Sequence, residues 1–232
     1  MKKILLVIGL VILAINSLSA QDGFEGRPIT DNIWMPTGYT LHKAEFDVGL
    51  GPIGIGLNEN VQIGTNILLF LFQIYNANIK ITVINTKNSA IAAGLEYSRF
   101  NLSAFLEDQE LVFNTIAPFL ALSMSAGENL RIHLAAKYSY FTVNEDIDEY
   151  KPSSYSSGTE VMLGLENSIS YKTKLLLEGG YDLTFEGMRL GGAVLFGWET
   201  FRLKLGVSYY APKNAPTGYS LPIIGLWWRF DG

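Results

Sequence analysis

The chain contains no cysteine and, in 232 residues, only two histidines, His42 and His133. The first absence removes disulfides, thiolate metal sites, cysteine nucleophiles and lipid attachment at a cysteine. The second means that any histidine-based triad or metal site must use one of those two rings. Basic residues are in deficit, with 17 Lys and Arg against 22 Asp and Glu and a formal charge of −5. With no basic block to offset this, the balance argues against a nucleic-acid partner. Also missing beyond residue 15 is any apolar run of about 18 residues, the length a spanning helix needs, although 48% of the residues are hydrophobic.

The one long apolar run, residues 4–15, follows Lys2 and Lys3 and leads through Asn16 and Ser17 to Leu18-Ser19-Ala20. A charged start, a short apolar centre and a small residue at the end are the plan of a secretory signal. We therefore expect a signal peptide over 1–20 cleaved near Ala20, then a short periplasmic segment over 21–38 and one domain over 39–232. Loss of Lys2 and Lys3 with the leader takes the formal charge from −5 to −7.

Within 39–232 the hydrophobicity is distributed by alternation, the signature of strands with two unlike faces. Leu130, Ile132, Leu134, Ala136, Tyr138 and Tyr140 face one way, against Arg131, His133, Ala135, Lys137 and Ser139. Leu175, Leu177, Gly179, Tyr181 and Leu183 oppose Leu176, Glu178, Gly180, Asp182 and Thr184. Phe201, Leu203, Leu205, Val207 and Tyr209 oppose Arg202, Lys204, Gly206 and Ser208. Ala44, Phe46, Val48 and Leu50 against Lys43, Glu45, Asp47 and Gly49, and Val161, Leu163 and Leu165 against Glu160, Met162, Gly164 and Glu166, repeat the pattern less purely. Residues 111–123 barely alternate, which implies a strand whose inner side meets packed apolar residues or a covering loop; Pro118 disfavours a helix there.

A soluble core has no use for so many inward charges. A sheet closed on itself does, because it offers apolar side chains to lipid and polar ones to a lumen while pairing every backbone group. Tight candidate turns at 58–60, 87–88, 127–129, 171–173 and 199–200 interleave with longer connections at 101–110, 143–157 and 211–218, as in outer-membrane barrels with short periplasmic turns and longer outer loops. The expected fold is all-β: an antiparallel up-and-down transmembrane barrel of about twelve strands, with ten or fourteen as alternatives. The count depends on a tight outer turn near Gly51-Pro52 and a very short second strand over 53–57.

Tyr97, Tyr138, Tyr140, Tyr171, Tyr181, Trp198, Tyr209 and Trp228 fall near expected strand ends, where a half-wet ring belongs at a membrane interface. The last strand, 221–230, carries Ile224, Leu226, Trp228 and Phe230 at alternate positions and resembles the C-terminal assembly signal of outer-membrane proteins; Asp231-Gly232 beyond the final aromatic departs from it. The stretch 54–66 resembles a hairpin of porin-like bacterial outer-membrane barrels. The resemblance implies an outer-membrane location, with lipid and the assembly machinery as partners, and names no substrate.

No enzyme is legible. Barrel phospholipases place a serine two residues from the histidine on one strand, where this chain has Ala135. The glycine pairs Gly179-Gly180 and Gly191-Gly192 sit inside strands and signal close packing rather than a phosphate loop. The acidic stretch Glu145, Asp146, Asp148 and Glu149 lacks the EF-hand glycine and glutamate, so no metal and no cofactor are expected. The lumen is left: Lys43, Lys80, Arg131, Lys137, Lys174, Arg189, Arg202, Lys204 and Arg229, with His133, face Glu45, Asp47, Glu96, Glu160, Glu166, Glu178 and Asp182. The first expectation is a small, weakly selective channel or uptake barrel for an unidentified small solute. The second is a non-conducting structural or surface-binding barrel whose charges form an internal network. Turn positions further predict Glu166 opposite Glu178 with His133 opposite Glu166, and Arg202 opposite Arg229 with Glu45 of the first strand close enough to offset their repulsion.

Overall fold

The structure, a computed structural model, describes residues 28–101, 110–146, 153–184, 186–213 and 217–230; the expected signal segment 1–20 lies outside them. Alternating residues form twelve strands: β1 (Phe46–Leu50), β2 (Pro52–Asn58), β3 (Val61–Asn66), β4 (Ile74–Asn85), β5 (Ser89–Asn101), β6 (Glu110–Ser125), β7 (Leu130–Asp146), β8 (Ser153–Ser170), β9 (Thr173–Asp182), β10 (Gly187–Gly197), β11 (Phe201–Ala211) and β12 (Tyr219–Phe230). A four-residue helix, α1 (Ile67–Phe70), links β3 to β4. Every strand pairs antiparallel with its sequence neighbours, and β1 pairs with β12 from Phe46↔Phe230 to Leu50↔Leu226, so the sheet closes without a free edge. The count of twelve, including the short second strand, is the expected one.

Facing also follows the alternation. Leu134, Tyr138, Leu163, Leu177, Tyr181, Val207 and Tyr209 are exposed on the outside, while His133, Ala135, Met162, Leu176, Glu178 and Ser208 are buried inside. Ile224, Trp228 and Phe230 are exposed on the outer face of β12, and Leu226, in step with them, is partly covered. One end of the barrel carries two-to-four-residue turns. The other carries α1, the longer connections, and Gly51, whose φ of 122° makes the one-residue turn between β1 and β2 that a side chain would strain. The wall is uneven: β1 to β3 have 5, 7 and 6 residues, whereas β6 to β8 have 16, 17 and 18. The expected outer connection over 143–157 is largely strand, since β7 runs to Asp146 and β8 starts at Ser153.

The domain boundary differs from the sequence-based one. Residues 43–44 are a turn in which Ala44 has φ 61°, so the barrel begins at Phe46 and Lys43 is exposed in that turn instead of facing the lumen. The segment expected in the periplasm is described from Pro28, and from there it lies inside the barrel. Ile29, Ile33, Met35 and Leu41 are buried. Met35 packs with Phe119, Ala121, Ala135 and Met162, and Ile29 and Ile33 with Leu176, Ala193, Leu195, Ile223 and Trp227. The core of this molecule therefore lies between an N-terminal plug and the inner wall, which is why the inner face of β6 is apolar.

Candidate functional site

The plug is a loop within the loop. Thr37 ties its two limbs together, its hydroxyl donating to the carbonyls of Ile29 (2.7 Å) and Thr30 (2.8 Å) and its N–H to Thr30 (3.1 Å), and Asp31 bridges to Pro36. At the tip, three successive N–H groups, Ile33, Trp34 and Met35, converge on Glu178 Oε2 at 3.0, 2.9 and 3.1 Å. Consecutive amides that point one way form an anion-binding nest; here the anion is a side chain of the barrel wall. Asn32 Nδ2 adds a bond to the Leu177 carbonyl at 3.0 Å, and Arg189 faces the other oxygen of Glu178 at 3.8 Å.

Cations of the wall grip the opposite pole of the same backbone. Lys80 Nζ donates to the Thr30 carbonyl at 2.5 Å and lies 3.4 Å from Asp31, and Lys204 donates to the Asn32 carbonyl. A buried ammonium needs such acceptors, because an unpaired charge inside a protein costs several kcal/mol. The descending limb is held by Gln62, which accepts from Leu41 N–H at 3.0 Å, by Thr82, which donates to the Gly38 carbonyl at 3.0 Å, and by Ser123, which accepts from Gly38 N–H at 2.8 Å. Small wall residues give the plug its room. A side chain at Gly164 would collide with Asn32 and Met35, and Gly38 itself lies against the Ala90 backbone.

Ser123 also meets His133 Nδ1 at 2.7 Å, and the far ring nitrogen lies 3.4 Å from Glu166. The hydroxyl–imidazole pair sought along one strand is thus present across two neighbouring strands. Ser123, His133 and Glu166 are all fully buried, and the hydroxyl oxygen accepts from Gly38 N–H, so the trio anchors this limb of the plug. Glu166 accepts further from Lys174 at 2.5 Å and Arg131 at 3.3 Å, and lies 3.5 Å from Ile29 N–H.

The lumen residues thus separate into groups. Glu178, Arg189, Lys80 and Lys204 hold the plug tip, and Glu166, His133, Arg131 and Lys174 its base. Lys137 pairs with Glu96, and Arg189 also with Glu160, each at 2.6 Å, nearer the loop end. At the closing seam Arg229 forms a two-pronged pair with Asp47 at 2.7 and 2.8 Å, with Glu45 3.6 Å away. Two residues serve turns: Asp182 accepts from Thr184 N–H at 2.8 Å, and Arg202 donates to the carbonyls of Trp198, Glu199 and Phe201.

Both expected juxtapositions are corrected. Glu166 lies opposite Leu176 while Glu178 lies opposite Gly164, because an irregularity between Ser168 and Ser170 shifts the β8–β9 register. Arg202 lies opposite Trp227, and Arg229 opposite Asp47. Among the described residues no group of three acidic or imidazole side chains is placed to hold a metal. A cavity of about 260 Å³ opens at the tight-turn end, lined by Pro28, Thr30 and Tyr39 of the plug and by His42, Glu45, Arg131 and Arg229.

No protein-family model and no curated protein matches the chain. Among solved structures it is similar to the crystal structure of Ail, the attachment invasion locus protein of Yersinia pestis. Identity is 9%, the match covers 81% of this chain and 99% of that one, and the TM-score is 0.38, a likeness that carries no argument about function.

Proposed function

We propose that the chain is an outer-membrane barrel held shut by its own N-terminal segment, a non-conducting barrel that displays a raised sheet to the exterior. The belt of exposed Leu, Ile, Val, Phe and Tyr around a closed sheet supports the membrane setting, since water gives such a surface no partner. Tight turns then face the periplasm and the longer connections the outside. The observation that carries the occluded reading is the buried plug, whose amides and carbonyls are matched by Glu178, Lys80 and Lys204 of the wall. An open, weakly selective channel needs a continuous column of water along the axis, and here that axis is occupied by Ile33 and Met35. Solute uptake, on this reading, requires the plug to leave first.

The raised sheet follows from strand length. Strands of 16 to 18 residues at about 3.4 Å per residue and a tilt near 40° climb about 42–47 Å, well above an apolar band of about 25 Å. The excess of β6 to β8 stands outside the membrane, where a surface-binding or structural role is exercised. Planar-bilayer recording on the purified full chain tests the proposal. Silence at moderate voltage, from protein that migrates as a folded heat-sensitive band, is the expected result, and regular stepwise openings of the unmodified chain overturn it.

A further inference from the structure

The opposite side of the barrel is too low. A strand that crosses a bilayer needs about 9–11 residues, and β1 to β3 have 5 to 7. Above them the chain leaves the sheet. The β3–β4 ladder ends at Gly64↔Asn78, and the side chain of Asn76 replaces the missing neighbour, accepting from Asn66 N–H at 2.7 Å and donating to its carbonyl at 2.9 Å. Residues 67–73 then make α1 and a following turn. Ile67, Leu68, Leu69, Phe70, Leu71 and Phe72 are six apolar residues in succession; Leu71 is 76% exposed and Phe72 60%.

Most N–H groups of this segment are paired within the protein. Ile67 N–H donates to Gly51 (2.9 Å) and Leu68 N–H to the Asn66 side chain (3.1 Å). Leu71, Phe72 and Gln73 N–H donate to Leu68 (3.2 Å), Leu69 (3.0 Å) and Phe70 (3.0 Å). Gln73, at φ 57°, turns the chain into β4, and its carbonyl accepts from Asn101 N–H at 3.4 Å. Backbone enters hydrocarbon only where its polar groups are paired, and the helical i→i−3 bonds at Leu71, Phe72 and Gln73 meet that demand at the exposed end of the segment. The exposed side chains also continue the outer belt without a break, from Leu50 on β1 and Ile63 on β3 to Tyr75, Ile79 and Ile81 on β4, with the Phe70 ring 5.8 Å from that of Tyr75.

We infer that residues 67–72 are an in-plane anchor inserted among the acyl chains of the outer leaflet, which completes the apolar belt where the strands stop short. The inference rests on the membrane-barrel reading. Its partner is hydrocarbon: the segment offers six apolar side chains, no charge, and four of its six backbone donors engaged at Ile67, Leu68, Leu71 and Phe72, which leaves little for a polar protein surface to recognise.

The absence of cysteine makes the test direct. Full-length Leu71→Cys and Phe72→Cys are spin-labelled and folded into dioleoyl phosphatidylcholine vesicles, with Ile79→Cys as the belt reference and Lys213→Cys as the aqueous one. Collision with oxygen is compared with collision with a water-soluble nickel chelate. The oxygen-to-nickel ratio at 71 and 72 should match that at 79 and exceed that at 213 about tenfold or more, since a polar complex is excluded from hydrocarbon. Ratios at 71 and 72 equal to that at 213, with 79 still lipid-like, overturn the anchor and leave the barrel reading intact. So does protection from both reagents, which marks a second copy or another protein as the occupant. A water-like ratio at 79 overturns the barrel reading and the anchor with it.

Discussion

Replacing Glu178 by alanine removes the acceptor of three amides at once, those of Ile33 and Met35 buried and that of Trp34 partly so. An unsatisfied buried donor costs about 1–3 kcal/mol. Trp34 is 45% exposed, so water reaches part of the nest and the total for Glu178→Ala falls near 3–5 kcal/mol, large among single substitutions. The barrel ladder does not involve this side chain, so the loss lands on plug docking and the undocked fraction should rise roughly 150- to 4,000-fold. Glu178→Gln keeps one oxygen acceptor and loses only the charge assistance, about 1 kcal/mol. The assay pairs two readings on each variant: bilayer conductance, and the temperature at which the folded band is lost in electrophoresis. Glu178→Ala should show transient openings absent from the unmodified chain, with Glu178→Gln intermediate and outward-facing Leu177→Ala silent. If Glu178→Ala remains silent and melts with the parent, the nest does not hold the plug and the argument from three amides fails.

Gly164→Leu, which drives a side chain into Asn32 and Met35, should weaken plug docking by about 1–3 kcal/mol and act with Glu178→Ala in the same direction; unchanged conductance in the double variant refutes the packing. Leu177→Arg on the outer face should depress assembly into vesicles by about 2–4 kcal/mol, measured as folded yield, whereas Leu177→Ile should fold as the parent does; equal yields count against a lipid-facing position. Asp47→Asn breaks the two-pronged contact with Arg229 across the closing seam and should lower the heat resistance of the folded band by about 2–4 kcal/mol. Glu45→Gln, at 3.6 Å from the same guanidinium, should do less, and the reverse order refutes the assignment of partners.

The wall was legible and its contents were not. A strand exposed on one side shows its period in residue type, so Leu134, Leu177 and Val207 identify the outer face without any knowledge of their neighbours. Register depends on turn geometry that side chains specify weakly. The two-residue turn at 171–172, with the irregularity beside Ser168, moved Glu178 away from Glu166, and the connection 212–218 left the β11–β12 pairing free by two positions. The plug has no period, because its bonds go to a wall more than a hundred residues away. A trace of it was nonetheless present: inward positions 90, 92, 121, 135, 164, 191 and 193 are all Ala or Gly, too small for a water-lined pore of charged walls and suited to an occupant. The Ser123–His133 pair joins two strands, so no spacing along the chain signals it, and only the β6–β7 register brings Ser123 opposite His133.

The nest that clasps Glu178 also bears on the order in which this molecule forms. Its amides come from residues 33–35 and its carboxylate from a position about 145 residues later along the chain. The strand that must be gripped is therefore among the last third to become available, while the segment that grips it is at the front. Contacts so remote in sequence form slowly, since a long loop has to close before any of them is rewarded. The tip amides cannot find their carboxylate until β9 has joined the growing sheet. By then β10 to β12 alone separate the chain from closure against β1, which is itself the continuation of the plug. Docking of the tip is consequently a late step, one that cannot precede the joining of β9 to the sheet.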